Sequence, residues 1–200
     1  NYMTFIFPGL LLMGVITSAY SNSSFSLFIN KFHRSIRELL ASPMTYFSIN
    51  MGYTIGSLFR AGIIAIGVFM VGFFLADITI LNVPLAILII FITIIIFSQF
   101  GILTAIWAQD FDQINVFTVF LITPLIYLGG VFYPVELLPP FWKTLSSLNP
   151  IYYLVDSFRY CFTGTSNTDV MISVSIATLL AILLLFLNLH LMKTSDKIKN

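Results

Sequence analysis

Charge is scarce in this chain. Nine Lys and Arg and eight Asp and Glu make up 8% of its 200 residues, against about 25% in an ordinary soluble domain. A water-facing surface cannot be covered from that supply, so a soluble globular fold is excluded. The net charge of +1 leaves no basic field for a nucleic-acid backbone, and no nucleic-acid partner is expected. Cysteine is nearly absent. Cys161 stands alone, which excludes an internal disulfide and any cysteine-based metal cluster. The two histidines, His33 and His190, lie far apart in sequence, so no metal site and no catalytic site is expected. The chain has no G-x-x-x-x-G-K-[ST] phosphate loop, no H-E-x-x-H and no G-x-S-x-G. Nothing resembles a catalytic triad, a haem site or a K⁺ filter.

What the chain has instead is apolar length. Hydrophobic residues make up 58% and aromatics 16%, with 21 Phe. Five continuous apolar stretches, near 5–28, 47–75, 84–107, 114–133 and 170–192, reach the roughly 20 residues a helix needs to cross a bilayer. The runs are continuous rather than alternating, which argues against a β-barrel. The expected fold is all-α, a polytopic transmembrane helical bundle forming a single domain over 1–200.

Lys and Arg sort the connections. Lys31, Arg34 and Arg37 lie in the 29–46 connection, and Lys193, Lys197 and Lys199 in the tail. The positive-inside rule puts both in the cytoplasm. Alternation then places 76–83 outside, 108–113 inside and 134–169 outside. With a cytoplasmic C-terminus, five spans put Asn1 outside, so one further span is expected upstream, six in all.

Four stretches could carry function. In Lys31–Pro43, the residues Phe32, Ile36, Leu39 and Leu40 fall at i, i+4, i+7 and i+8, one helical face, and Pro43 ends the segment. Periodicity alone favours an interfacial helix on anionic lipid; a helix docking into a cytoplasmic partner is the alternative. Arg60 sits inside the second span. A charge there costs at least ~2.5 kcal/mol on insertion scales, so it has a pathway or packing role: it meets an anionic substrate or an acidic partner, or it snorkels. Gly52, Gly56, Gly62 and Gly67 on the same span suggest close helix packing. Asp110 and Asp112 could hold a cation or act as acid and base, but a solvated turn is the simpler reading. Gln99 and Gln109 read as helix contacts.

The fourth stretch, 134–164, follows a break at Gly129-Gly130. Pro134, Pro139, Pro140 and Pro150 punctuate it, and Phe141, Trp142, Tyr152, Tyr153, Phe158 and Tyr160 supply an aromatic belt. It reads as an external re-entrant helical hairpin, since irregular backbone at membrane depth must be buried in protein or face water. Asp156 and Arg159, at i and i+3, could pair on a helix. The hairpin is either a lid without a ligand or the outer gate of a translocation path.

In this order and spacing the chain resembles the membrane subunit of ABC-2 type transporters, the type-2 ABC exporters. The residues that carry the resemblance are Phe7-Pro8-Gly9, Arg37-Glu38-Leu39-Leu40-Ala41-Ser42-Pro43, Thr123-Pro124-Leu125, Tyr127 to Tyr133, Leu138-Pro139-Pro140, Leu148-Asn149-Pro150 and Phe158-Arg159-Tyr160. It covers essentially the whole chain. The resemblance implies six spans, a bacterial inner-membrane location and a homodimer of permeases. It implies a separate cytoplasmic ATP-binding-cassette ATPase holding ATP and Mg²⁺, with no cofactor on this chain. It gives segment 31–43 (Phe32, Arg34, Ile36, Arg37, Glu38, Leu39, Leu40) the role of docking into that ATPase. It makes Gly129, Gly130, Pro134, Pro139, Pro140, Trp142, Asn149, Pro150 and Arg159 part of an outer gate. The expected function is outward transport without an ATPase site of its own. Two rivals are a channel or passive facilitator, which would need polar residues along several spans, and a membrane-embedded lipid-modifying enzyme, which would need clustered Asp, His or Ser.

Overall fold

The computed structural model describes residues 2–36, 38, 42–76 and 79–194. Its elements are helices α1 (Tyr2–Phe32), α2 (Tyr46–Ala76), α3 (Val83–Trp107), α4 (Phe111–Phe117), α5 (Thr123–Leu128), α6 (Pro140–Ser147), α7 (Pro150–Thr163) and α8 (Val170–Thr194). A π turn, Thr118–Ile122, joins α4 to α5, and a 3₁₀ turn, Val135–Leu137, precedes α6. No strand occurs among the described residues. The molecule is an all-helical polytopic bundle. Five helical stretches are long and apolar enough to cross a membrane: Met3–Phe32, Tyr46–Phe74, Val83–Trp107, Phe111–Leu128 and Val170–Thr194.

Helices α1 and α3 form the centre. Leu12, Val15, Ile16 and Ala19 of α1 and Ile89, Ile96 and Ile102 of α3 are completely buried. The two backbones approach closely at Gly101, where a Cβ would stand 2.5 Å from the Tyr20 carbonyl oxygen. Only glycine allows that distance. Around this pair, α2, α4–α5 and α8 keep much of their apolar surface outward, with Phe59, Phe74, Phe120 and Leu179 exposed. Such side chains belong against lipid or another protein, not water.

Proline places the helix starts. Pro84, Pro140 and Pro150 stand in first turns, where the missing N–H is not needed. Gly164, at φ 71°, closes α7 in the left-handed region, its N–H bonded to the Tyr160 carbonyl at 2.9 Å. Pro124 has a different effect. Inside a continuous helix its ring would press on the carbonyl four residues back. The fourth span widens to a π turn just before it, and Thr123 Oγ1 donates to the Thr118 carbonyl at 3.0 Å.

Two boundaries differ from the sequence reading. The first span does not stop near residue 28 but continues as helix through Phe32. The fourth ends at Leu128, and Gly129 to Pro134 form the turn that follows.

Candidate functional site

The two ends of α1 carry the two candidate sites. At about 1.5 Å per residue its 31 residues span roughly 46 Å, so one helix reaches from the proline-aromatic hairpin to the basic segment.

At the N-terminal end, Gly9 explains the Phe7-Pro8-Gly9 motif. A Cβ on Gly9 would meet the Val131 carbonyl oxygen at 2.8 Å and its Cα at 2.9 Å. The turn after α5 therefore lies directly on α1. Gly130, at φ 74°, makes the reversal. Asn149 then ties the hairpin to the fourth span: its Nδ2 donates to the Leu125 carbonyl at 2.6 Å, while its Oδ1 caps α7 through the Ile151 N–H at 3.0 Å. Arg159, nearly buried, donates from Nη2 to the Gly130 carbonyl at 2.8 Å and from Nε to the Phe5 carbonyl at 3.1 Å. Its guanidinium carbon stands 3.8 Å from the centre of the Phe5 ring.

The expected i, i+3 pairing of Asp156 with Arg159 is not how these side chains are used. Asp156 accepts from the backbone N–H groups of Asn167 and Thr168 at 3.0 and 2.9 Å and from Thr168 Oγ1 at 2.7 Å. It anchors the loop before α8, while Arg159 turns toward α1. Burial lowers the Arg159 pKa, and Asp156, Glu136 and Tyr152 oppose that shift. Burial, reinforced by Asp156 and Glu136, pushes the Tyr152 hydroxyl up to about 12. Phe158 is also reassigned: it is buried and packs edge-on against Phe162. Phe141 and Trp142 remain exposed, as an interfacial belt requires.

At the C-terminal end, the structure breaks the expected 31–43 helix in two. Lys31 and Phe32 end α1, and Arg34 sits at φ 62°, an unusual left-handed conformation for a non-glycine residue. That elbow separates Phe32 from Ile36, so they do not share one helical face. Phe32 and Glu38 are exposed, but Ile36 is buried in a cluster with Phe28, Ile102 and Ile114. Ile36 is an internal pin. Arg37, Leu39 and Leu40 lie outside the described residues.

Arg60 lies exposed midway along α2 on its outward side. Added Cβ atoms at Gly52, Gly62 and Gly67 would meet nothing within 4 Å, and one at Gly56 only Asn22 Nδ2 at 3.5 Å. The close packing expected of these glycines does not occur within this chain. Asp110 is a helix cap, its Oδ1 accepting from the Gln113 N–H at 2.8 Å. No group of three metal-type side chains occurs among the described residues.

Between the two ends lies a cluster of which sequence reading saw one member: Gln99 makes the helix contacts expected of it, but its partners Asn50, Thr54 and Asn188 were not singled out. Gln99 Nε2 donates to Asn50 Oδ1 at 2.8 Å and Thr54 Oγ1 at 2.9 Å, and Asn50 Nδ2 returns a bond to Gln99 Oε1 at 3.1 Å. Asn188 Nδ2 donates to the Gln99 carbonyl and to Oε1 at 2.8 and 2.9 Å. All four polar residues are buried, so α2, α3 and α8 are bound together by amides. The signal in the sequence was the presence of single amides in apolar runs, which does not say that they meet.

Residues 1–163 match the family model of the ABC-2 type transporter. The chain belongs to this family. It is 42% identical over 171 residues to the inner membrane transport permease YadH of Escherichia coli K12, covering 86% of this chain and 67% of that one. It is 22% identical over 177 residues to nodulation protein J of Rhizobium leguminosarum bv. viciae, covering 88% and 68%. A transport permease ycf38 described as putative, from Cyanophora paradoxa, is 26% identical over 172 residues, covering 83% and 58%. The ABC-2 chain is thus a multi-pass membrane transport permease.

Proposed function

We propose that this permease exports its substrate across a bacterial inner membrane, driven by a cytoplasmic ATP-binding-cassette ATPase on a separate chain. ATP and Mg²⁺ belong to that partner. Two permeases make the pathway, and the outward apolar face of α4–α5, with Val119, Phe120 and Leu121 exposed, is available to a second copy. The elbow and the tail face the cytoplasm; the hairpin faces outside and closes the path.

The observation that carries this reading is the arrangement on α1. The basic segment and the hairpin sit at opposite ends of one continuous helix, so a push at one end reaches the other as rigid-body movement. The ATPase meets Phe32, Arg34, Glu38 and the undescribed Arg37, Leu39 and Leu40, while Ile36 holds the segment to the bundle. The exposed Phe32 ring supplies an apolar anchor and the charges set register.

The test is purification of the full-length permease from its own membrane in mild detergent, with mass spectrometry of what accompanies it. A stoichiometric ATPase, lost in the Leu39→Ala, Leu40→Ala double variant, is the expected result. A permease that purifies alone under several detergent conditions would point to a channel or a lipid enzyme and sink the proposal.

A further inference from the structure

Lys31 does more than mark the cytoplasmic side. Its Nζ stands 2.7 Å from the Ala108 carbonyl oxygen, 3.0 Å from that of Ile106 and 3.4 Å from that of Ala105. These are carbonyls at the C-terminal end of α3, where a helix has no partners for them and carries partial negative charge. An ammonium has three donors, so one side chain of α1 can grip the end of α3. Beside it, the Phe28 and Phe32 rings lie 4.8 and 5.5 Å from the ring of Phe111, the first residue of α4. The left-handed Arg34 follows directly. The elbow is thus fastened on its membrane side to the α3–α4 turn. Beyond that turn the chain runs through α4 and the π turn into α5, whose Leu125 carbonyl and following Gly130 carbonyl hold Asn149 and Arg159 of the hairpin.

We infer that Lys31 is a positioning residue that transmits movement at the Arg34 elbow to the α3–α4 turn, and through the fourth span to the hairpin. This rests on the ATPase-driven reading. A static helix cap would give the same distances, but it would affect only stability. A transmitting contact must carry a nucleotide-dependent change from one end of the molecule to the other.

The experiment uses the full-length permease with its ATPase in lipid nanodiscs, which leave both membrane faces open to solution. A Leu137→Cys substitution places a thiol on the hairpin at a residue 78% exposed. Its labelling by a membrane-impermeant maleimide is timed with and without ATP and vanadate, after subtraction of labelling without that cysteine. In the parent, nucleotide trapping should change the rate about fivefold or more, the low end of coupling between distant sites. Lys31→Met keeps the stem and removes the ammonium; the nucleotide response should fall, leaving only what α1 itself carries. Lys31→Arg, which retains charge and donors, should restore it. A Lys31→Met protein that responds like the parent overturns the inference and leaves the ATPase reading standing. A parent that binds no ATPase, or ignores nucleotide, overturns both. If Lys31→Met does not accumulate, Lys31→Gln serves: it is too short to span the three carbonyls, and a parent-like response from it also overturns the inference.

Discussion

The Arg159 guanidinium, 2.8 Å from the Gly130 carbonyl oxygen, lies over the Phe5 ring and also reaches the Phe5 carbonyl. One side chain therefore joins the start of α1, the turn after α5 and the hairpin helix α7. A planar fork can serve two carbonyls and a ring at once; an ammonium cannot stack in this way.

Replacing Arg159 by Met should leave two inward-facing carbonyls without that donor. Phe5 keeps its bond within α1, so the loss is about 1–3 kcal/mol for the Gly130 carbonyl plus about 0.5–2 kcal/mol for the contact with the Phe5 ring. For a chain of this size the melting temperature should fall on the order of 10 °C. Arg159→Lys should recover less than half of that. Thermal unfolding in detergent measures both, and a Lys variant as stable as the parent would show that the fork is unimportant.

Glycines on the spans should divide by environment. Gly9→Ala drives a methyl into the Val131 backbone and should cost about 1–3 kcal/mol, as overpacking does. Gly62→Ala meets nothing within 4 Å and should be neutral or stabilising by about 0.5–1 kcal/mol, since alanine is the better helix former. The same melting assay separates them; equal losses would contradict the packing described.

Gln99→Leu should loosen three helices together. It removes the partner of Asn50, Thr54 and the Asn188 side chain. Membrane hydrogen bonds average about 0.6 kcal/mol each, so a loss of roughly 1–3 kcal/mol is expected. Added Asn50→Leu should then cost much less than it does alone, because the groups act as one unit. A double-mutant cycle with additive losses would refute the cluster.

Cys161 should be chemically silent in the folded protein. It is completely buried, and burial pushes its thiol up to about 11 from 9.0. The thiolate is the reactive form, and a rise of two units lowers its fraction roughly 100-fold at pH 8. N-ethylmaleimide should label it only after denaturation in SDS. Rapid labelling of the native protein at pH 8 would mean that α7 does not pack as described.

Much of the architecture was legible. Apolar length set the five spans, and Pro140 and Pro150 punctuated the hairpin where its helices start, because a proline ring acts within a few residues. Ile36, Arg159 and Asp156 were placed less well. Helical periodicity assigned Ile36 to a free face because it could not register the elbow at Arg34. Spacing paired Asp156 with Arg159 because it could not see that Phe5 and Thr168, distant in sequence, offer each a better partner.

Taken by itself, the sequence determined the solvent in which this protein lives and the number of apolar helices in the chain. Those properties follow from hydrophobic length and from backbone constraints that are local. Only the tertiary structure decided which buried polar atoms meet: Lys31 with the end of α3, Gln99 with Asn50 and Asn188, Arg159 with Gly130. In an apolar bundle, a polar group must find a partner wherever the helices bring one, and that location depends on how whole helices cross.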